Sequence, residues 1–159
     1  MGKRIVSLLP SCTEIICMLG FRENLVGVSH ECDYPNSVSG LPVLTKARLP
    51  SEGNSIEINQ NVTDLLQRGL SIYDVDASLL KSLSPDIIVT QAQCEVCAVS
   101  LDQVKEIVSN WTRNKTEIIS LEPNTLSQVW HGFDTIANAM DSPESSSILM
   151  KEINERYKL

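Results

Sequence analysis

Most of the familiar signatures of catalysis are missing from this chain. Its 159 residues contain no nucleophile elbow, no phosphate-cradling loop, no HExxH and no GxGxxG, and that absence argues against an enzyme. No run of 18 apolar residues occurs, so no segment reads as a membrane span. Lys and Arg form no cluster, and the net charge is −7. Phosphate backbones and anionic membrane surfaces are repelled by such a surface, which disfavours nucleic acid as a partner. An even set of cysteines is lacking too: there are five, at positions 12, 17, 32, 94 and 97. An odd count, behind an N-terminus in which Pro10 interrupts the first apolar run, argues against both a disulfide framework and a secretory leader. The expectation is a cytoplasmic protein, in which the sequons at Asn61, Asn110 and Asn114 are coincidental.

What is present is a globular composition, 42% hydrophobic and 21% charged, in a chain long enough to fold without staples. Residues 4–9 read as a short strand. Ser11 with Glu14 has the spacing of a capping box, and Ile15, Ile16 and Leu19 supply an apolar helix face that Gly20 closes. Leu25–Val28 reads as a second strand, so strand, helix and strand form a βαβ unit with a parallel pair. The Pro- and Gly-bearing stretch 30–54 reads as loop, with a short strand at 41–44. Ile58, Val62, Leu65 and Leu66 recur at helical spacing, with Gly69 as the stop. Asp76 caps a short helix ended by Ser84-Pro85, and Asp86–Gln91 is the clearest strand. Ser100 with Gln103, and Thr125 with Gln128, repeat the capping signal on either side of the strand Glu117–Leu121. Val129, Phe133, Ile136, Ala137 and Met140 line the helix after Thr125. Pro143 opens a last helix carrying Ile148, Leu149 and Ile153. Alternating strands and helices predict an α/β fold with a mainly parallel sheet and helices on both faces.

Ligands of open parallel sheets bind beyond the carboxyl ends of the strands. Two chemistry-bearing segments fall there: Ser29-His30-Glu31-Cys32-Asp33-Tyr34-Pro35 after the second strand, and Gln91-Ala92-Gln93-Cys94-Glu95-Val96-Cys97 after the strand at 86–91. Both loops should open on one rim. His30, Cys32, Cys94 and Cys97 there have the soft donors that zinc or an iron–sulfur cluster takes. The same residues are also compatible with a redox-active CxxC pair or with idle packed thiols. Ser11 and Cys12 lie in the first turn of a helix, where amides can hold an anionic group and the helix dipole is placed to lower a thiol pKa; plain capping is the competing reading. Cys17 reads as core and His131 as a surface residue. Glu122 follows the last strand onto the same rim, as a polar contact or a solvated loop acid.

Arg4-Ile-Val-Ser-Leu-Leu-Pro-Ser-Cys-Thr-Glu14, Leu25-Val-Gly-Val-Ser29 with Asp33-Tyr34-Pro35, and Ser84-Pro85-Asp86-Ile-Ile-Val89 together resemble the vitamin B12 and iron-siderophore class of ABC-transporter solute-binding proteins. The His30–Pro35 and Cys94–Cys97 motifs are similar to those of a subgroup labelled cobalamin-binding. The resemblance implies a two-lobed clamshell with ligand in the cleft and one long helix joining the lobes. Residues 1–141 would be the N-terminal lobe and 142–159 the start of the joining helix, with the second lobe missing. It further implies non-catalytic binding of cobalamin, another corrinoid or a different metal chelate, with Ser11, Cys12, Glu31, Tyr34, Glu95 and Glu122 as ligand contacts and His30, Cys32, Cys94 and Cys97 toward the metal. Lys46 and Gln93 stand near positions where transport members carry cleft aromatics. A lobe without its partner should expose apolar surface on its last helix and self-associate.

Overall fold

The computed structural model describes residues 2–49, 53–67, 71–92, 99–111 and 116–158. Its centre is a four-stranded sheet in the order β2-β1-β5-β6, built from β1 (Ile5–Ser7), β2 (Leu25–Val28), β5 (Ile87–Thr90) and β6 (Glu117–Ser120). All three pairings are parallel, with Ile5 opposite Leu25 and Ile87, and Ile88 opposite Ile118. Parallel neighbours need a crossover between them. α1 (Pro10–Met18) provides one, α4 (Leu101–Ser109) another, and α3 (Ala77–Leu83) leads into β5.

Side chains alternate across the sheet, and each face buries its own set. Ile5, Ile87, Val89 and Ile119 join Ile16 of α1, Phe133 and Ile136 of α5 (Leu126–Ala139) and Leu149 of α6 (Glu144–Tyr157). Val6, Leu8 and Ile88 pack on the other face against Leu80 of α3 and Val104 of α4. The predicted α/β class and the helices on both faces are thus observed. β5 reads IIVT and is buried at every position, as a strand covered on both sides should be.

Three local expectations differ from the structure. α1 starts two residues early: Leu9 is its N-cap, Pro10 is the first helical residue, and no side chain caps it. Proline has no N–H to satisfy and a φ already suited to the first turn, so it displaces Ser11 from the capping position and the box with Glu14 does not form. Ser100 is the N-cap of α4 as expected, but it makes no side-chain cap bond, and the Gln103 side-chain oxygen is buried without a partner. The stretch 41–44 makes only an isolated bridge, Val43 to Val28. The strand itself is β3 (Thr45–Ala47), which pairs antiparallel with β4 (Tyr73–Val75) in a separate two-stranded sheet. The box at Thr125 and Gln128 does form, both halves of it, and Asp76 caps α3 by accepting from the Leu79 N–H.

Several helices carry apolar residues outward, α2 (Ser55–Gln67) and α6 two each. In α2, Ile56 and Ile58 are exposed, while Val62 and Leu65 of the stripe read there are half-buried. Gly69, its expected stop, lies outside the described residues. In α6, Leu149 is buried while Ile148 and Tyr157 are exposed. No described helix is long and apolar enough to cross a membrane.

The central strand and last helix give a paired test. Ile88→Ala removes a fully enclosed side chain and should cost about 2–5 kcal/mol in urea unfolding. Ile148→Ala, at an exposed site, should stay within about 0.5 kcal/mol.

Candidate functional site

Because β2, β1, β5 and β6 run the same way, the segments that leave their carboxyl ends share one edge. Exposed Ser11 follows β1, residues 29–35 follow β2, half-buried Gln91 and Ala92 follow β5, and exposed Glu122 follows β6. The rim predicted for the two motif-bearing loops therefore carries one whole motif, His30 to Pro35. Cys94, Glu95 and Cys97 lie outside the described residues, as does Gln93.

The His30 loop is organised by a residue that the sequence reading passed over. Thr45, buried at the start of β3, donates its hydroxyl proton to Ser29 Oγ at 2.9 Å. Its oxygen accepts from the His30 backbone N–H at 3.0 Å and meets His30 Nδ1 at 2.6 Å. One donor and two acceptor positions are the full capacity of a hydroxyl. The other ring nitrogen, Nε2, lies 3.2 Å from Glu31 Oε1. The Tyr73 ring of β4 meets the imidazole edge-on, with centroids 5.2 Å apart. The two-stranded sheet thus holds the histidine in one orientation.

Cys32 points elsewhere. Its sulfur receives the Thr13 hydroxyl at 3.1 Å, and the same hydroxyl contacts Ser7 Oγ at 2.8 Å and the Leu9 carbonyl at 3.3 Å. Thr13 and Ser7 are fully buried, so this cluster ties α1 to β1 beneath the rim. Among the described residues no three of His, Cys, Asp and Glu gather as a metal group. Tyr34 stands at the rim with 63% of its surface exposed. Glu122 accepts from the Ser120 hydroxyl at 3.0 Å.

Cys12 corrects the helix-dipole expectation. It is enclosed in the core, with its sulfur 3.9 Å from the Thr90 carbonyl. Burial pushes its thiol up from 9.0 to about 12, against a smaller lowering by the Ser11 hydrogen bond and with a further rise from nearby Cys32. Loss of water around a thiolate outweighs the dipole. Burial likewise raises the Cys32 thiol, opposed by its hydrogen bonds from Thr13 and Ser29 and reinforced by Asp33 and Glu31. Cys17 is half-buried against the core, and burial raises its thiol as well.

No family model and no curated protein matches the chain. Solved structures do. A vitamin B12 binding protein of Vibrio cholerae aligns over 99% of this chain and 49% of its own, with TM-score 0.67 and 18% identity. A heme-binding protein of a Roseiflexus species aligns over 98% and 47%, with TM-score 0.64 and 22% identity. A periplasmic solute-binding protein of Staphylococcus epidermidis, described as a possible iron-binding protein, aligns over 97% and 48%, with TM-score 0.64 and 20% identity. The chain spans about half the length of these structures. At such identities the likeness is one of fold: the α/β architecture matches the N-terminal lobe of solute-binding proteins.

Two measurements probe this geometry. Thr45→Val keeps the shape but leaves Ser29 and His30 short of a partner, and should destabilise by about 1–3 kcal/mol in thermal or urea unfolding. For Cys12, a raised thiol pKa means that the folded state holds its proton where the unfolded chain has released it. Its stabilising contribution is therefore complete below pH 9 and is lost as pH climbs toward about 12. At mildly alkaline pH, peptide mass spectrometry after iodoacetamide should find Cys12 unlabelled in the native protein and labelled in urea, with Cys17 and Cys32 reacting ahead of it.

Proposed function

We propose that this chain is a non-catalytic binding lobe that presents its strand-end rim to a corrinoid or another metal chelate. The observation that carries the reading is Tyr34. A large aromatic side chain, mostly exposed, stands on the rim where parallel sheets take ligands. An aromatic face suits a flat macrocycle, and the polar groups around it, Ser11, Glu31 and Glu122, suit a chelate's amide or carboxylate periphery. Glu95, read from the sequence as a contact, belongs to the same proposed set and lies outside the described residues. The fold supports this reading, since proteins described as binding vitamin B12 and heme have it.

One lobe offers half of a cleft, and we propose that a second lobe completes it, with α6 leading toward that lobe. The exposed Ile148 and Tyr157 on α6 are consistent with a covered surface there. Cytoplasmic placement is part of the same proposal, supported by the free thiols at Cys12, Cys17 and Cys32.

Titration with hydroxocobalamin and with hemin, followed by visible absorption, tests the reading. A site of about 4 kcal/mol is half filled at about 1 mM ligand, so a saturable spectral change below that concentration is expected. Tyr34→Ala should weaken it about three- to tenfold, the worth of one aromatic contact. No change with either chelate up to about 1 mM would remove the proposal.

A further inference from the structure

The chelate reading leaves two kinds of ligand periphery open, amide and carboxylate, and the charge of the rim separates them. The segments that leave the four parallel strands, 8–14, 29–35, 91–100 and 121–126, contain Glu14, Glu31, Asp33, Glu95 and Glu122 and not one Lys or Arg. Glu31, Asp33 and Glu122 are exposed. Glu95 is placed by sequence alone, outside the described residues.

The described cations sit at the other ends of the strands or on other surfaces. Lys3 and Arg4 precede β1, and Arg22 precedes β2. Lys151 and Arg156 belong to α6. In β3, beside the His30 loop, Arg48 is paired with Asp74 at 2.6 Å, and Lys46 lines a recess that it shares with Asp74 and Asp76. Within the four segments only His30 can take a positive charge, and its Nε2 faces Glu31 Oε1 at 3.2 Å. A proton on that nitrogen is held by Glu31 and leaves nothing for a ligand's carboxylate.

An edge of one charge sign acts on a ligand as a sum. Each exposed charge is screened and weak by itself. Several along one edge set a potential that turns away like charge, and mismatched charge excludes a ligand whose shape fits. We infer, resting on the chelate reading, that the rim selects by charge: it takes a macrocyclic chelate with a neutral, amide-bearing periphery and rejects the same ring carrying carboxylates. Tyr34 offers its face to either ring, so the acidic side chains make the distinction. Amide N–H groups donate to carboxylate oxygens in charge-assisted hydrogen bonds, whereas an ionised carboxylate brings acceptors only. Glu31, Asp33 and Glu122 are thus specificity residues of the proposed site.

Two corrinoids that share ring, cobalt and axial ligands test this. Dicyanocobinamide has amides around the ring, and dicyanocobyrinic acid has carboxylates in their place. Cyanide on both axial positions keeps the cobalt out of the comparison. Equilibrium dialysis against the whole chain at neutral pH and about 10 mM salt, where charges act over about 30 Å, should find the amide form bound about tenfold tighter or more. At about 1 M salt, with a screening length of about 3 Å, the ratio should fall to about threefold or less. Asp33→Lys, a change at an exposed position, should tighten the carboxylate form about three- to tenfold at low salt. Glu31→Gln/Glu122→Gln should narrow the ratio between the two forms. Equal affinities at low salt, a carboxylate form that binds tighter, or a ratio that ignores both salt and Asp33→Lys overturns the charge selection and leaves the chelate reading standing. Binding of neither dicyano form overturns it as well, and if hydroxocobalamin and hemin also fail to bind, the chelate reading goes with it.

Discussion

Everything on the binding rim depends on four strands running in one direction. A parallel pair cannot be closed by a tight turn, so each connection crosses a face of the sheet and re-enters at the amino end. The carboxyl ends are thereby gathered on one edge, and the residues that leave them, Ser11, His30, Gln91 and Glu122, become neighbours by topology although they are far apart in sequence. Packing on both faces maintains this direction. Ile87 and Val89 are held by one group of helices and Ile88 by the other, so the strand that lies between β1 and β6 has no freedom to slip in register.

Beneath the rim, polar groups are sorted by how much water they retain. Thr13 and Ser7 are buried and satisfy each other. Cys12 is buried with little beyond a carbonyl for its sulfur, and it is kept protonated for that reason. These groups join α1 to β1 and take no part in a ligand surface. The outer tier, Glu31, Tyr34 and Glu122, is exposed. His30 lies between the tiers, one ring nitrogen toward the buried Thr45 hydroxyl and the other toward the exposed Glu31 carboxylate. An imidazole in that position is oriented by the interior and available to the exterior.

The elements that sequence reading recovered best were those specified locally. Thr125 and Gln128 are three residues apart, and their reciprocal bonds form as the spacing implies. The same spacing failed at Ser11 and Glu14 because Pro10 is better suited to start the helix. At Ser100 the capping position was right but the box was not, because Gln103 turns its oxygen into a buried site instead of back to the cap. The small sheet was missed altogether. Its strands are three residues long and pair Thr45 with Val75 across a helix, and no periodicity can be read from three residues. Thr45 escaped notice with it, having no motif of its own.

Alternating apolar runs and cap signals determined by themselves that this chain is an α/β protein with a parallel sheet, because hydrophobic periodicity and backbone capping act between near neighbours. They also determined which loops lie at the strand ends, since direction in a parallel sheet follows from the order of elements. Only the tertiary structure decided where the side chains on those loops point. It turned Cys32 inward to Thr13 and set His30 between Thr45 and Glu31. Such orientations depend on hydroxyl partners brought from distant strands and on which groups lose water when the faces close, and neither is encoded in local spacing.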